Sequence, residues 1–249
     1  MTAQIVQSLV RTTRTRFSGV YETFDAAEKA APRTKPVGHN TPAAPNMYVY
    51  AIGSLVPSDY PVMFWAAQFI SATKMVLDIG GNIGISFYAY RSRLPFPDDL
   101  RWLVYDVPEV ANGGEELAAT KFRESSTGLH FARSLEEARA CDFLLASGSL
   151  QYIDEPLDAL LDRIQARPEH IIINRTPVLE GEPFITLQDN EELYSPYKVF
   201  NRAEFIDPLL KLGYELVDSW IVHELACYVR FRPDKVVPHY SGFYLRQRG

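Results

Sequence analysis

The chain has 249 residues, a length that one sheet-organised α/β domain can hold, and its 47% hydrophobic, 22% charged and 12% aromatic content excludes disordered, collagen-like and coiled-coil chains. A formal net charge of -6 argues against a nucleic-acid partner, since that recognition draws on clustered Lys and Arg, and points to small substrates. The longest unbroken apolar stretch, 62–67, is far below the roughly 18 residues of a membrane span, so a soluble chain with no membrane partner is expected. Cys141 and Cys227 stand far apart and form no CxxC, which suggests neither a disulfide scaffold nor a zinc site and fits a reducing cytoplasm.

The first 21 residues carry Arg11, Arg14 and Arg16 and no acid. Ile5, Val6, Leu9 and Val10 fall on one side of a helix, so a basic amphipathic helix is expected there, with a faint likeness to a transit peptide as the other reading. From Thr34 to Pro61 five prolines and two glycines rule out one regular element. Residues 1–73 therefore read as a helical and proline-rich wrapping segment, and 74–249 as the main domain of a single structural unit.

After Lys74, short apolar runs at 75–79, 101–107, 129–133, 141–146 and 170–174 alternate with helical stretches at 85–92, 108–123, 135–140 and 156–167. That alternation is the mark of βαβ units, hence a parallel sheet covered by helices on both faces. Ser134 with Glu137, and Asn201 with Glu204, have the spacing of a capping box. A helix over 202–212 closed by Gly213 and strands at 215–222 and 242–248 complete the pattern.

The strongest local signal is the buried strand that enters Asp78-Ile79-Gly80-Gly81-Asn82-Ile83-Gly84 and then a helix. Glycines let a ligand approach backbone, and the helix start offers free N–H groups. The dinucleotide fingerprint fits poorly, because Asn82 takes the place of its middle glycine and Asp78 would repel a pyrophosphate. The arrangement resembles motif I of class I S-adenosylmethionine (SAM) methyltransferases, in which the turn cradles a zwitterionic amino-acid tail. Asp106, followed by Val107 at the end of the next strand, matches motif II, an acid that accepts from both ribose hydroxyls. Where many methyltransferases hold adenine with an Asp, this chain has Arg133 and Ser134. Ser134 reads there as either an adenine ligand or, better, a helix cap. The small residues Ser147, Gly148 and Ser149 end the fourth strand, where a reactive centre can come close.

A closer resemblance extends over nearly the whole chain. Phe17-x-Gly19-Val20-Tyr21, Leu77-Asp78-Ile79-Gly80-Gly81, Ser149-Leu150-Gln151-Tyr152, Asn174-Arg175-Thr176-Pro177, Ile185-Thr186-Leu187-Gln188, Tyr214-Glu215-Leu216-Val217 and Ser241-Gly242-Phe243 resemble the ordered motifs of a poorly characterised bacterial family of class I SAM-dependent methyltransferases. The resemblance implies a Rossmann-like fold with a seven-stranded, mainly parallel sheet and an antiparallel last strand. Such proteins are often associated with surface-polysaccharide or specialised biosynthesis, which implies a small-molecule or saccharide acceptor, methylated at oxygen. It brings no assigned base.

For the acceptor side, Tyr152, Arg175, Gln188 and Tyr197 are expected to face a pocket between the ends of the fourth and fifth strands, with Gln188, Tyr194 and Tyr197 in a loop. Arg175 would take an anionic group or else brace the fold through a carboxylate. The wrap around Tyr21 would close over SAM. Of the histidines, His39 and His223 could reach the active face, whereas His130 and His170 read as structural. No catalytic metal is expected, because Ser147-Gly148-Ser149 and Asn174-Arg175 occupy the places a metal-assisted mechanism gives to carboxylates. A catalytically silent binding or scaffold protein of the same fold and, further off, a nicotinamide oxidoreductase are the other readings.

Overall fold

A computed structural model describes residues 16–248; the expected first helix lies outside them. Seven strands form the main sheet: β2 (Met75–Ile79), β3 (Arg101–Tyr105), β4 (Leu129–Ala132), β5 (Phe143–Ser147), β6 (His170–Thr176), β10 (Tyr214–Val222) and β13 (Tyr240–Gln247), in the order β10-β13-β6-β5-β2-β3-β4. β4, β3, β2, β5 and β6 run parallel, and the last strand, β13, lies antiparallel to both β6 and β10.

Alternation along the strands builds two cores. Leu77, Ile79, Leu103, Leu144, Ala146, Ile171 and Ile173 face α5 (Leu157–Asp162) and α6 (Arg202–Lys211). Val76, Trp102, Val104, Leu145 and Ile172 face α2 (Asp59–Ala66) and α3 (Ile85–Arg91). Both side-chain parities are buried, as a sheet covered on two faces requires, which is why these runs read as continuous hydrophobics. By that parity Asp78 belongs to the α2/α3 face.

The second sheet was not legible in the sequence. β1 (Arg16–Tyr21), β8 (Phe184–Asp189), β9 (Tyr194–Asn201), β11 (Cys227–Arg230) and the two-residue strands β7 (Val178–Leu179) and β12 (Val236–Val237) pair in the order β12-β11-β1-β8-β9-β7. Gln188, Tyr194 and Tyr197 thus stand in strands, not in a loop. Phe17, Tyr197, Val199, Cys227 and Tyr240 form its core. The helical stretch expected at 135–140 is only a 3-10 turn, Leu135–Glu137, held by the capping box of Ser134 and Glu137.

The wrap begins with α1 (Phe24–Ala30) and continues through a 3-10 segment, Ala44–Ala51, that packs on α4 (Pro108–Ala119). Ala44, Ile83 and Val110 are buried together there, and Asn40 Oδ1 accepts from the Glu109 backbone N–H at 3.1 Å. A Cβ on Gly113 would come within 2.3 Å of the Pro45 ring, so the wrap lies directly against the helix backbone.

Candidate active site

The glycine turn joins β2 to α3 at the carboxyl edge of the parallel strands. Gly80 has φ +66°, a conformation only glycine adopts without strain, and a Cβ there would sit 2.2 Å from Ser149 Cβ. The neighbouring β5 turn is therefore itself an obstacle to a side chain at Gly80. A Cβ on Gly81 would meet the Asp78 carboxylate at 2.4 Å. Asn82, at φ +57°, accepts from the Ile83 N–H through its own side chain, and Gly84 closes the turn.

Asp78 is almost wholly buried. Its Oδ2 accepts from Trp102 Nε1 at 3.0 Å, whereas Oδ1 has no partner. Burial raises its pKa to about 7, opposed by the Trp102 hydrogen bond. Asp106, just past β3, accepts from the backbone N–H groups of Asn82 at 2.8 Å and Val107 at 2.7 Å. It thereby locks the two strand-to-helix turns together, and burial lifts its pKa to about 6. Each oxygen keeps a lone pair for a ribose hydroxyl.

Arg133 is engaged by its neighbours on α4. Its guanidinium bonds Asn112 and pairs with Glu115 on α4, and Ser134 is taken by the cap. Ser147, Gly148 and Ser149 knit the strand ends: Ser147 Oγ accepts from Asn174 Nδ2, Gly148 N–H donates to Asn174 O, and Ser149 Oγ donates to Ile79 O at 2.6 Å.

Three of the four residues expected to face an acceptor, Tyr152, Gln188 and Tyr197, lie together, and His39 joins them. Tyr152 Oη donates to Gln188 Oε1 at 3.0 Å, its ring meets those of Tyr197 and His39 edge-on at 5.2 and 5.0 Å, and Tyr197 Oη donates to Tyr240 at 2.7 Å. Burial pushes the Tyr152 phenol up to about 12 and the His39 imidazole down to about 4, so at neutral pH Tyr152 is protonated and His39 uncharged. Tyr48, which sequence reasoning missed, joins them from the wrap; burial, with Tyr152 and Asp106 nearby, raises its pKa. No spacing signal marked it, since it sits in a 3-10 segment. His223 instead lies beside His239, their rings 6.2 Å apart.

One expectation is revised. Tyr21 lies over Gly19 and lines a separate cavity of about 600 Å³ with Leu150, Leu157, Phe184, Phe200 and Phe205; the segment beside Asp106 is 39–52. Arg175 is braced by a carboxylate, and its Nε has no hydrogen-bond partner. At φ +56° it sits at a bulge of β6, where the two residues between Ile173 and Thr176 oppose the one between Phe243 and Ser241. Its guanidinium pairs with the buried Asp59 at the start of α2, which also accepts from Tyr90 Oη and the Val56 N–H.

No family model and no curated protein matches the chain. Among solved structures it is similar to a glycopeptide N-methyltransferase complexed with S-adenosylhomocysteine (TM-score 0.53, 10% identity, 84% of this chain, 99% of that one). It is also similar to SAM-dependent methyltransferases from Methanosarcina mazei (0.53, 13%, 78% and 98%) and Clostridium acetobutylicum (0.51, 11%, 82% and 97%). The fold is that of the class I methyltransferases. Among the described residues no helix is long and apolar enough to cross a membrane, and no group of three His, Cys, Asp or Glu is placed to hold a metal.

The residues present fit SAM. Gly81 keeps a Cβ away from the Asp78 carboxylate, whose Oδ1 is left without a partner, and Asp106 ends the adjacent strand with lone pairs to spare.

Proposed function

We propose that this protein is a SAM-dependent methyltransferase that methylates oxygen on a small molecule or saccharide. The observation that carries the reading is the pairing of the Asp78–Gly84 turn with Asp106, whose carboxylate holds the Asn82 N–H at 2.8 Å at the end of the adjacent parallel strand. In this reading Gly80, Gly81, Asn82 and Gly84 supply backbone to the cofactor and Asp106 takes the ribose hydroxyls. Bound SAM supplies an electrophilic methyl group on a sulfonium.

The protein's task is then alignment, which can contribute several kcal/mol without any charged catalyst. Tyr152, Gln188, Tyr197 and His39 orient the acceptor. The uncharged His39 imidazole can accept a hydrogen bond from an acceptor hydroxyl and draw off its proton as the new bond forms. Segment 39–52 excludes water, which strengthens these contacts. An association with surface-polysaccharide or specialised biosynthesis, and a cytoplasmic location, belong to the same proposal.

Mass spectrometry of hydroxyl-bearing acceptors incubated with SAM should show replacement of one hydrogen by methyl. Calorimetry with S-adenosylhomocysteine should show binding that Asp106→Ala weakens by at least about tenfold, because charge-assisted hydrogen bonds are worth roughly 1.5–3 kcal/mol. Absence of any binding to the parent protein would refute the proposal.

A further inference from the structure

The cavity of about 600 Å³ between the second sheet and the helices α5 and α6 plays no part in the methyl-transfer site. Its walls are Tyr21, Phe184 and Phe200 from β1, β8 and β9, with Leu157 and Phe205 from the two helices. Tyr152, Gln188 and His39 are not among them. The 3-10 turn Leu150–Tyr152 gives Leu150 to the cavity and sends Tyr152 Oη to Gln188 Oε1 instead. Small-molecule pockets span roughly 300–1,000 Å³, and this space falls inside that range. Folded interiors leave few voids larger than a water molecule, and water gains little against an apolar wall, so an occupant with an apolar body is stabilised by displacing it.

The charges around those walls decide what else the occupant carries. Both lysines of the cavity are engaged: Lys198 Nζ donates to the Asp154 carbonyl at 2.8 Å and pairs with its carboxylate at 3.4 Å, and Lys235 pairs with Glu182 at 3.7 Å. Glu155 is matched by Arg163 at 3.1 Å. Glu22, Asp158 and Glu204 line the cavity as well, and among the described residues their carboxylates have no ion pair and no hydrogen bond. Glu22 and Glu204 are exposed and Asp158 is half-buried, so these three acids stand where the cavity meets solvent. Uncompensated negative charge at the mouth attracts a cation and repels an anion. The aromatic walls already accept cations, since Lys235 and Lys198 lie over the Phe184 and Phe200 rings at 5.1 and 5.9 Å.

We infer that this cavity is a binding site, separate from the cleft at the glycine turn, for a small molecule that joins an apolar ring system to an ammonium group. The ring system lies against Leu157, Phe184 and Phe205, and the ammonium faces Glu22, Asp158 and Glu204 at the mouth. The site stands whether or not the protein binds SAM.

The test uses three probes that share one ring system and differ in charge: naphthylmethylammonium, naphthylmethanol and naphthoate. By calorimetry at low salt the parent protein should bind the ammonium at least about tenfold more tightly than the carboxylate, and the gap should narrow at high salt because exposed charges are screened. Combining Glu22→Gln, Asp158→Asn and Glu204→Gln removes acids that have no partner to lose, so the variant should fold, bind naphthylmethanol as the parent does and lose most of the charge preference. Val20→Trp, from a half-buried position in the wall, should fill the cavity and weaken all three probes together. Should Val20→Trp fail to fold, the charge variant decides alone. Equal affinity of the parent for the three probes, or no binding of any at millimolar concentration, overturns the inference. So does a charge preference that survives neutralisation of the three acids, and so does displacement of the ammonium by S-adenosylhomocysteine, which would put the probe in the cleft at the glycine turn.

Discussion

At the scale of single residues, the glycine turn shows that a missing side chain can serve packing within the fold. Gly80 looks like a gap for a ligand, yet its missing Cβ makes room for Ser149, whose hydroxyl in turn bonds the Ile79 carbonyl. Gly80→Ala should therefore lower the melting temperature even without cofactor, through both the left-handed φ and the contact with Ser149. Adding Ser149→Gly should recover part of that loss by removing the opposing Cβ, and a thermal double-mutant cycle reads the coupling directly. An additive cycle would show that φ strain alone decides.

At the scale of elements, strand ends and the wrap meet around Tyr152. Tyr152→Phe removes the donor to Gln188 Oε1, a half-buried bond, and should cost roughly 1 kcal/mol of stability and depress kcat/KM for the acceptor while S-adenosylhomocysteine binding is nearly unchanged. The wrap can be addressed apart from the site. Gly113→Val places a branched side chain where the Pro45 ring lies against α4, so segment 39–52 should lift and become the first place cut in limited proteolysis. S-adenosylhomocysteine affinity should drop with it, since the same segment carries Tyr48 beside Asp106. Proteolysis as slow as in the parent would mean the wrap is held by other contacts.

At the scale of the whole molecule, the buried acids tie stability to pH. Asp78 and Asp106 have native pKa values raised to about 7 and 6, so the folded state holds their protons more tightly than the unfolded chain, and stability falls as pH rises from about 4 through those values. His39, lowered to about 4, acts in the opposite sense up to its unfolded pKa near 6.5. Asp78→Asn keeps the shape and removes one slope. Its melting temperature should gain on the parent's progressively between pH 5 and about 7.5, while its affinity for S-adenosylhomocysteine declines, a separation of stability from function common at binding sites. Parallel melting curves across that range would show that Asp78 ionises in the fold as it does in water.

The sequence by itself determined the main sheet, the glycine turn, Asp106, the capping box of Ser134 and the helix cap of Asn201, because each is local: an apolar run of strand length, a φ only glycine adopts freely, or a three-residue spacing. It also singled out Tyr152, Gln188, Tyr197 and His39, four residues that the fold brings together. Only the tertiary structure decided which groups are already engaged. Of the two readings of Arg175, the bracing carboxylate proved to be present as Asp59, 116 residues earlier in the chain, and Arg133 has its own in Glu115. The second sheet stayed hidden for the same reason, since β1 finds its partners in β8 and β11, and no periodicity within Arg16–Tyr21 encodes segments so far along the chain. Side-chain type and spacing are written locally, but whether a charged or polar atom still has a bond to offer depends on what the folded chain sets beside it.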